Sequence, residues 1–526
     1  MNEALAVLPP ITPLYWLAAI LPIIVLFVLM LYFRWGARRA GPVSWIIAVV
    51  VGVFIFGADE IVISVASAKG MWVALWVSYI IWPALLIYQL MKKVGALEEI
   101  QDKFRSLSES RILQLLIVGW VFPSFLQGVT GFGTPVAVTA PLLLGMGFSP
   151  LIAAATPLIG HAWAVTFGSL GSSYHAARLV TELTPAQSAG FANWAALLLS
   201  ITCLLTGFAI VYLYKGFDGL KKGFPAALIL GVTMGGALNL TVRLEPSVAS
   251  FVAGIVGLGV GYLLTKSPWY ESGKLSDKRQ KKSGMGFNLG FLPYYLIVGL
   301  VLLVMLPPQL AGKAKEVLNF GLSFPETSTS FGWTNKAVAS YNTLKLFGHP
   351  GTYIMISALI SYLVYKFTGN WNKGYGAKIF KATIKKTIPS SIALASMVMM
   401  AIVMTDTGMV ELLARGSAKV TSFLFPLISP SIGVLGAFMT GSNTSSNILF
   451  GVFQQQNALL LEINALIILA AQTTGGAIGN MLCPFNILLG TSTANMLGQE
   501  GEVMKRTTYV GIGFSVSIGL LVWLLV

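Results

Sequence analysis

Twice along this chain, an apolar stretch long enough to cross a bilayer is interrupted by glycine and small polar residues, and the two interruptions share one design. The first reads FLQGVTGFGTPVAVTAPLLLG from Phe125 and is followed by LIGHAWAVTFGSLGSSY from Leu158; the second reads MTGSNTSSNILFG from Met439 and is followed by AAQTTGGAIGNML from Ala470. Helix breakers at membrane depth free backbone groups that lipid cannot satisfy, so they are tolerated only where they line a protein-enclosed or wet cavity. Paired in the two halves of a chain, such breaks point to a transporter's binding site.

The rest of the chain sets the class. It is 56% hydrophobic and 10% charged, with a mean hydropathy of +0.78, and its apolar runs match a hydrocarbon core roughly 30 Å thick. We expect an all-α polytopic membrane protein with about 12 full spans plus two re-entrant hairpins, because nothing in the pattern alternates as barrel strands do. The spans fall near 14–33, 43–58, 71–91, 150–170, 189–214, 223–242, 246–265, 288–306, 351–367, 387–414, 459–478 and 508–526. The first run has no basic residues before it and no small-residue cleavage site, so it reads as a retained span. Cys203 and Cys483 sit in or beside apolar segments and read as packing residues.

A net charge of +15 raises the question of nucleic acid, but its distribution answers it. Most of the Lys and Arg residues fall in six stretches: Arg34 to Arg39, Lys92 to Arg111, Lys215 to Lys222, Lys266 to Lys282, Lys366 to Lys386, and Lys505 to Arg506. Between them lie poor loops that hold only scattered residues such as Lys69, Arg178 and Arg415. This alternation is the positive-inside pattern, which places both termini outside and the basic loops in the cytoplasm. The Lys274 to Lys282 cluster reads as a face for anionic lipid.

Two stretches resist assignment as simple spans. From Arg111 to Gly147 the chain must leave and re-enter the cytoplasmic side, and from Lys419 to Leu459 it must do the same from outside. Two opposed hairpins satisfy this, one inward-opening at about 112–148 and one outward-opening at about 420–458. The implied organisation is an N-terminal repeat over 1–265, a basic cytoplasmic loop over 266–290 and an inverted C-terminal repeat over 291–526. A single glycine in such breaks is explained well enough by helix packing, whereas four breaks in matching positions argue for a site.

N-termini of half-helices favour an anion, and hydroxyls and amides bind a carboxylate and a neighbouring hydroxyl without the cost of burying a charge. The candidate substrate-binding residues are Gln127, Thr130, Gly131, Gly133, Thr134 and Ser169 in the first half. In the second half they are Gly441, Ser442, Asn443, Thr444, Asn447, Gln472, Thr473, Thr474, Gly475 and Asn480. The hairpin arms starting at Thr134 and Asn443 aim their N-termini at the midplane, so the natural cargo is a small organic anion.

Over most of its length the chain resembles the bacterial lactate permeases, which include glycolate permeases. The resemblance is dense in LIVGWVFPSFLQGVTGFGTPVAVTAPLLLGMGF, TGSNTSSNILF and TTGGAIGNM. It implies proton-linked import of lactate or glycolate by a fold of inverted repeats. It also implies a glutamate where this chain has Gln127, an aspartate where it has Asn443, a lysine where it has Asn480 and an asparagine where it has His161. An amide mimics a protonated carboxylate permanently, so Gln127 and Asn443 carry no coupling proton. Sodium coupling or uniport of another small organic anion therefore stays open as the alternative.

The proton-coupling candidates are His161, whose unperturbed pKa of about 6.5 suits a carrier near neutral pH, and Asp406. The competing reading of Asp406 and Glu411 is that they face water or pair with Arg415. Asp59 and Glu60 read as solvated at the external face, and His175 and His349 as loop residues without a role. No enzyme signature is present: three scattered histidines offer no protease metal set, no phosphate loop occurs, and no cofactor is implied. An anion channel remains a rival, because re-entrant segments also build filters. The external segment Pro307 to Pro350 reads as an interfacial amphipathic element, with a lid or an oligomer contact as alternatives.

Overall fold

The computed structural model describes residues 8–33, 35–105, 110–131, 133–270, 285–305 and 307–526. The cluster Lys274 to Lys282, and with it most of the expected loop 266–290, lies outside the described residues. Among the described residues, ten helices are long and apolar enough to cross a membrane, and Thr134–Gly145, Pro150–Ala162 and Phe287–Val301 are shorter apolar helices. This is a multi-pass membrane protein.

The longest straight element is the helix Glu60–Val94. Asp59 starts it by accepting the Val62 N–H at 2.8 Å, and Gly95 ends it with φ +83°. Its 35 residues span roughly 52 Å, well beyond a bilayer core. It packs along Tyr375–Asp406, which in turn packs on Ala37–Phe54. The helices expected over 189–214 and 223–242 lie within Pro185–Val242 and are parted by a kink at Lys215 and Gly216 (φ +58°), where the backbone leaves helical geometry.

Around the first polar interruption, helical chain from Arg111 ends at Val129, and a new helix, Thr134–Gly145, begins at the expected residue. Gly131 (φ +53°) and Gly133 (φ +76°) turn the chain between them. The helix Pro150–Ala162 then ends, nine irregular residues follow, and Ser172–Val180 resumes. In the second half Phe425–Thr440 ends at Gly441 (φ +72°), and Asn443–Leu460 begins, again at the expected residue. An Ala at Gly131 would carry the left-handed strain of about 1–2 kcal/mol, and its Cβ would lie 1.9 Å from Ser169 Oγ. We expect Gly131→Ala to lose uptake while a Gly131→Ala sample still elutes as a folded membrane protein in size-exclusion chromatography.

Two expectations fail. The fourth break, placed at Gly475, is not a break: the helix Ala465–Asn480 runs straight through it and yields only at Met481 to Cys483. Its glycines serve a close crossing instead, since a Cβ at Gly475 would lie 1.9 Å from Pro430 O and one at Gly479 2.3 Å from Val434 O. Gly475 is therefore a packing residue against Phe425–Thr440. The chain is also not all-α. Strands Asn319–Phe324 and Val338–Lys345 pair antiparallel, as do Thr327–Ser328 and Thr334–Asn335. This segment is rich in Ser, Thr and aromatic residues and poor in apolar runs, which favours strands. It is docked on the helices: Trp72 Nε1 donates to Tyr341 O at 3.0 Å, and Asn335 Nδ2 donates to Asp406 O at 2.8 Å.

Candidate functional site

The polar segments of the two halves meet. Ser169 N–H donates to Gln127 O at 2.7 Å and Leu170 N–H to Gly128 O at 3.1 Å, stitching the second break of the first half to its hairpin tip. The same break reaches the other half through Thr166, whose Oγ1 donates to Thr473 O at 3.2 Å and lies 3.1 Å from Thr473 Oγ1. Asn443 Nδ2 donates to Thr166 Oγ1 at 3.0 Å and to Thr473 Oγ1 at 3.4 Å. Asn447 Nδ2, one turn on, donates to Ser173 O at 3.0 Å and to Thr473 Oγ1 at 2.8 Å. Ser173 Oγ and Thr444 Oγ1 lie 2.9 Å apart. All of these side chains are buried.

A second contact between the halves runs through Asn480. Its Nδ2 donates to Gly441 O at 3.2 Å, which turns its Oδ1 toward His161 Nε2 at 3.2 Å and toward Asn486 Nδ2 at 3.1 Å. Asn486 also approaches the first tip, with its Oδ1 4.0 Å from where a Gly133 Cβ would stand. His161 Nδ1 faces Pro157 O at 2.6 Å.

Donors and acceptors are unevenly placed. At the first tip the side chains of Gln127 and Ser169 make no hydrogen bond among the described residues and converge beside Gly131. At the second tip the amide nitrogens of Asn443 and Asn447 are committed, while their Oδ1 atoms, fully buried, accept from no described group. Buried polar atoms without partners are costly and rare, so this pattern is informative. Among the described residues, the first tip holds an amide and a hydroxyl without partners, and the second holds two amide oxygens without donors.

Other candidates play lesser parts. The Thr130 hydroxyl donates to Leu126 O at 2.9 Å, Ser442 Oγ caps Ser445 N–H at 3.2 Å, and Thr134 opens its helix with its N–H bonded to Gly131 O. Gln472 Nε2 donates to Ser446 Oγ at 3.0 Å and Gln472 Oε1 accepts from Gln454 Nε2 at 3.0 Å, so it braces the tip from behind. Thr474 is buried with its hydroxyl unpartnered and joins none of these bonds. Cys203 and Cys483 are buried and free.

Asp406 does not belong to this group. It neither faces water nor pairs with Arg415; it is buried and bonded to Lys69 Nζ at 3.0 Å, while Glu411 takes Arg415 at 2.8 Å. Lys69, expected in an outer loop, instead lies inside the helix Glu60–Val94, buried against Asp406. Thr166, Ser173, Ser446, Gln454 and Asn486 were also missed. Their one visible signal was proximity to the glycine segments.

The profile of the L-lactate permease family matches residues 16–526. The chain belongs to that family. It is 29% identical to the glycolate permease GlcA of Escherichia coli K12, over 96% of this chain and 94% of that one. It is 28% identical to the L-lactate permease of the same strain, over 96% and 95% of the two chains. A solved transporter, YdaH of Alcanivorax borkumensis, overlays 88% of this chain and 87% of its own at a TM-score of 0.45 and 14% identity. The relatives are permeases, so this family member is a transporter and not an enzyme.

Proposed function

We propose that the protein is a secondary carrier that imports a small 2-hydroxy monocarboxylate, most directly lactate, with a proton and by alternating access. The observation that carries this is the division of labour between the tips. A carboxylate needs donors, which the side chains of Gln127 and Ser169 supply. A 2-hydroxyl needs an acceptor for its proton, which Asn443 Oδ1 and Asn447 Oδ1 supply. A substrate bearing both groups satisfies both tips at once, and glycolate has the same pair.

The two tips act as opposed re-entrant hairpins, about 112–148 and 420–458, within inverted repeats over 1–265 and 291–526. The returning arm Thr134–Gly145 supports this, because its 12 residues cover only about 18 Å, too little to cross. The alternating basic stretches support termini outside a cytoplasmic membrane.

His161 is the proton carrier in this reading. Its two ring nitrogens both face oxygens, Pro157 O and Asn480 Oδ1, and Asn480 is held in that orientation by Gly441 O. A neutral imidazole has one N–H and would turn a lone pair toward one of these oxygens; the imidazolium satisfies both. Protonation thus tightens the link from His161 through Asn480 to the second tip at Gly441. Asp406, neutralised by Lys69, takes no part. Uptake into proteoliposomes is expected to rise as the outside is acidified, since the proton enters with the substrate. In His161→Gln that dependence disappears, and retained dependence would exclude His161.

A further inference from the structure

Above the meeting point of the two halves, three nitrogen-bearing side chains surround the indole of Trp76. Arg178, in the last turn of Ser172–Val180, has its guanidinium 5.3 Å from the Trp76 ring centre, and the rings of His175 and His349 lie 5.1 and 4.2 Å away. Both histidines, expected in loops, are buried. His175 lies within that helix.

The hydrogen bonds fix the protons. Arg178 Nε–H donates to His175 Nδ1 at 3.0 Å, so His175 carries its proton on Nε2 and gives it to Ser247 Oγ at 2.9 Å. Ser247 Oγ in turn donates to Glu245 Oε1 at 2.6 Å, which also takes the Ser247 N–H at 3.1 Å. The nearby carboxylate is thereby held by Ser247 rather than by the guanidinium. The Nη groups of Arg178 donate to nothing among the described residues, and Arg178 forms no ion pair there. His349 Nδ1 accepts the Gly351 N–H at 3.1 Å, which places the His349 proton on Nε2, and that atom is buried without an acceptor. Donors are thus in surplus around one aromatic plane.

We propose that Arg178 and His349 form a second, outer binding site for a small carboxylate, with Trp76 as its apolar floor. The planar fork of Arg178 matches a carboxylate's two oxygens, His349 Nε2–H supplies a third donor, and the indole accommodates a short alkyl group. Ser173, on the same helix as Arg178, touches Thr444 and Asn447, so an anion held at Arg178 stands about five helical residues, roughly 7–8 Å, from the second tip. The site captures cargo on the outer side before it passes inward, which rests on the transport reading above.

Calorimetric titration of the purified full chain with acetate, a carboxylate without a hydroxyl, tests the site apart from transport. The wild type is expected to bind acetate, Arg178→Gln to bind it roughly tenfold more weakly, His349→Gln to weaken it less, and Arg178→Lys to recover part of the loss. In proteoliposomes Arg178→Gln is expected to raise the half-saturating lactate concentration for influx about tenfold while leaving that for efflux unchanged. Unchanged acetate affinity in both neutral variants overturns the site. So does an equal shift in influx and efflux, which marks a merely structural role, or displacement of acetate by equimolar chloride. Acetate binding that depends on Arg178 in a chain without lactate counterflow would leave this site standing and sink the transport reading.

Discussion

Asn443→Ala is expected to lower saturable lactate uptake by a factor on the order of 30 or more, with expression little changed and thermal stability lowered by the loss of two buried hydrogen bonds. The side chain gives two hydrogen bonds to the threonine pair that joins the halves, and its buried Oδ1 accepts from no described group. Losing it strips Thr166 and Thr473 of a donor and removes an acceptor from the bound state, together about 2–3 kcal/mol, where each 1.4 kcal/mol is a factor of ten. Asn443→Asp separates two explanations. A charge at this position restores an ionisable group but repels a carboxylate, so it is expected to weaken uptake at neutral pH and recover some of it in acid. Initial rates across a lactate series at two pH values give both results, and uptake by Asn443→Ala equal to wild type would remove the residue from the site.

The largest effect on stability is expected at Lys69. Lys69→Met leaves Asp406 buried beside an apolar group, and breaking a buried pair in this way costs about 3–5 kcal/mol. The double variant Lys69→Met, Asp406→Leu removes both charges and is expected to regain most of that, because a well-packed apolar pair is often as stable as a buried ionic one. Thermal unfolding in detergent, followed for the wild type, both single variants and the double, gives the coupling directly. A double variant no more stable than Lys69→Met would show that the two residues do not act as a pair. The consequence reaches the outer segment too, since Asn335 bonds Asp406 O and Tyr341 lies 5.7 Å from Lys69 Nζ. Loosening of that β segment, read as faster proteolysis in Lys69→Met, is expected with the loss.

Much of this was legible in the sequence, for identifiable reasons. Gly131, Gly133 and Gly441 stand at positive φ, and the helices beyond them begin at Thr134 and Asn443, because helix breaking is a local property that glycine signals directly. Gly475 misled because glycine has a second use: TTGGAIG packs one helix against the backbone of another without bending it. The partners that cross between halves were invisible. Thr166 with Asn443, Asn480 with His161, and Lys69 with Asp406 are each separated by hundreds of residues, and no local pattern encodes such a meeting. The strands of 319–345 escaped for a different reason, since their register depends on docking against Trp72 and Asp406 rather than on their own alternation.

Lactate counterflow in proteoliposomes tests the carrier reading most directly. Vesicles loaded with unlabelled lactate and diluted into a trace of labelled lactate, with no gradient of pH or potential, are predicted to accumulate label transiently above equilibrium, and Asn443→Ala to abolish that overshoot. Entry of label that is linear in concentration and indifferent to internal lactate would contradict the account and mark the protein as a channel.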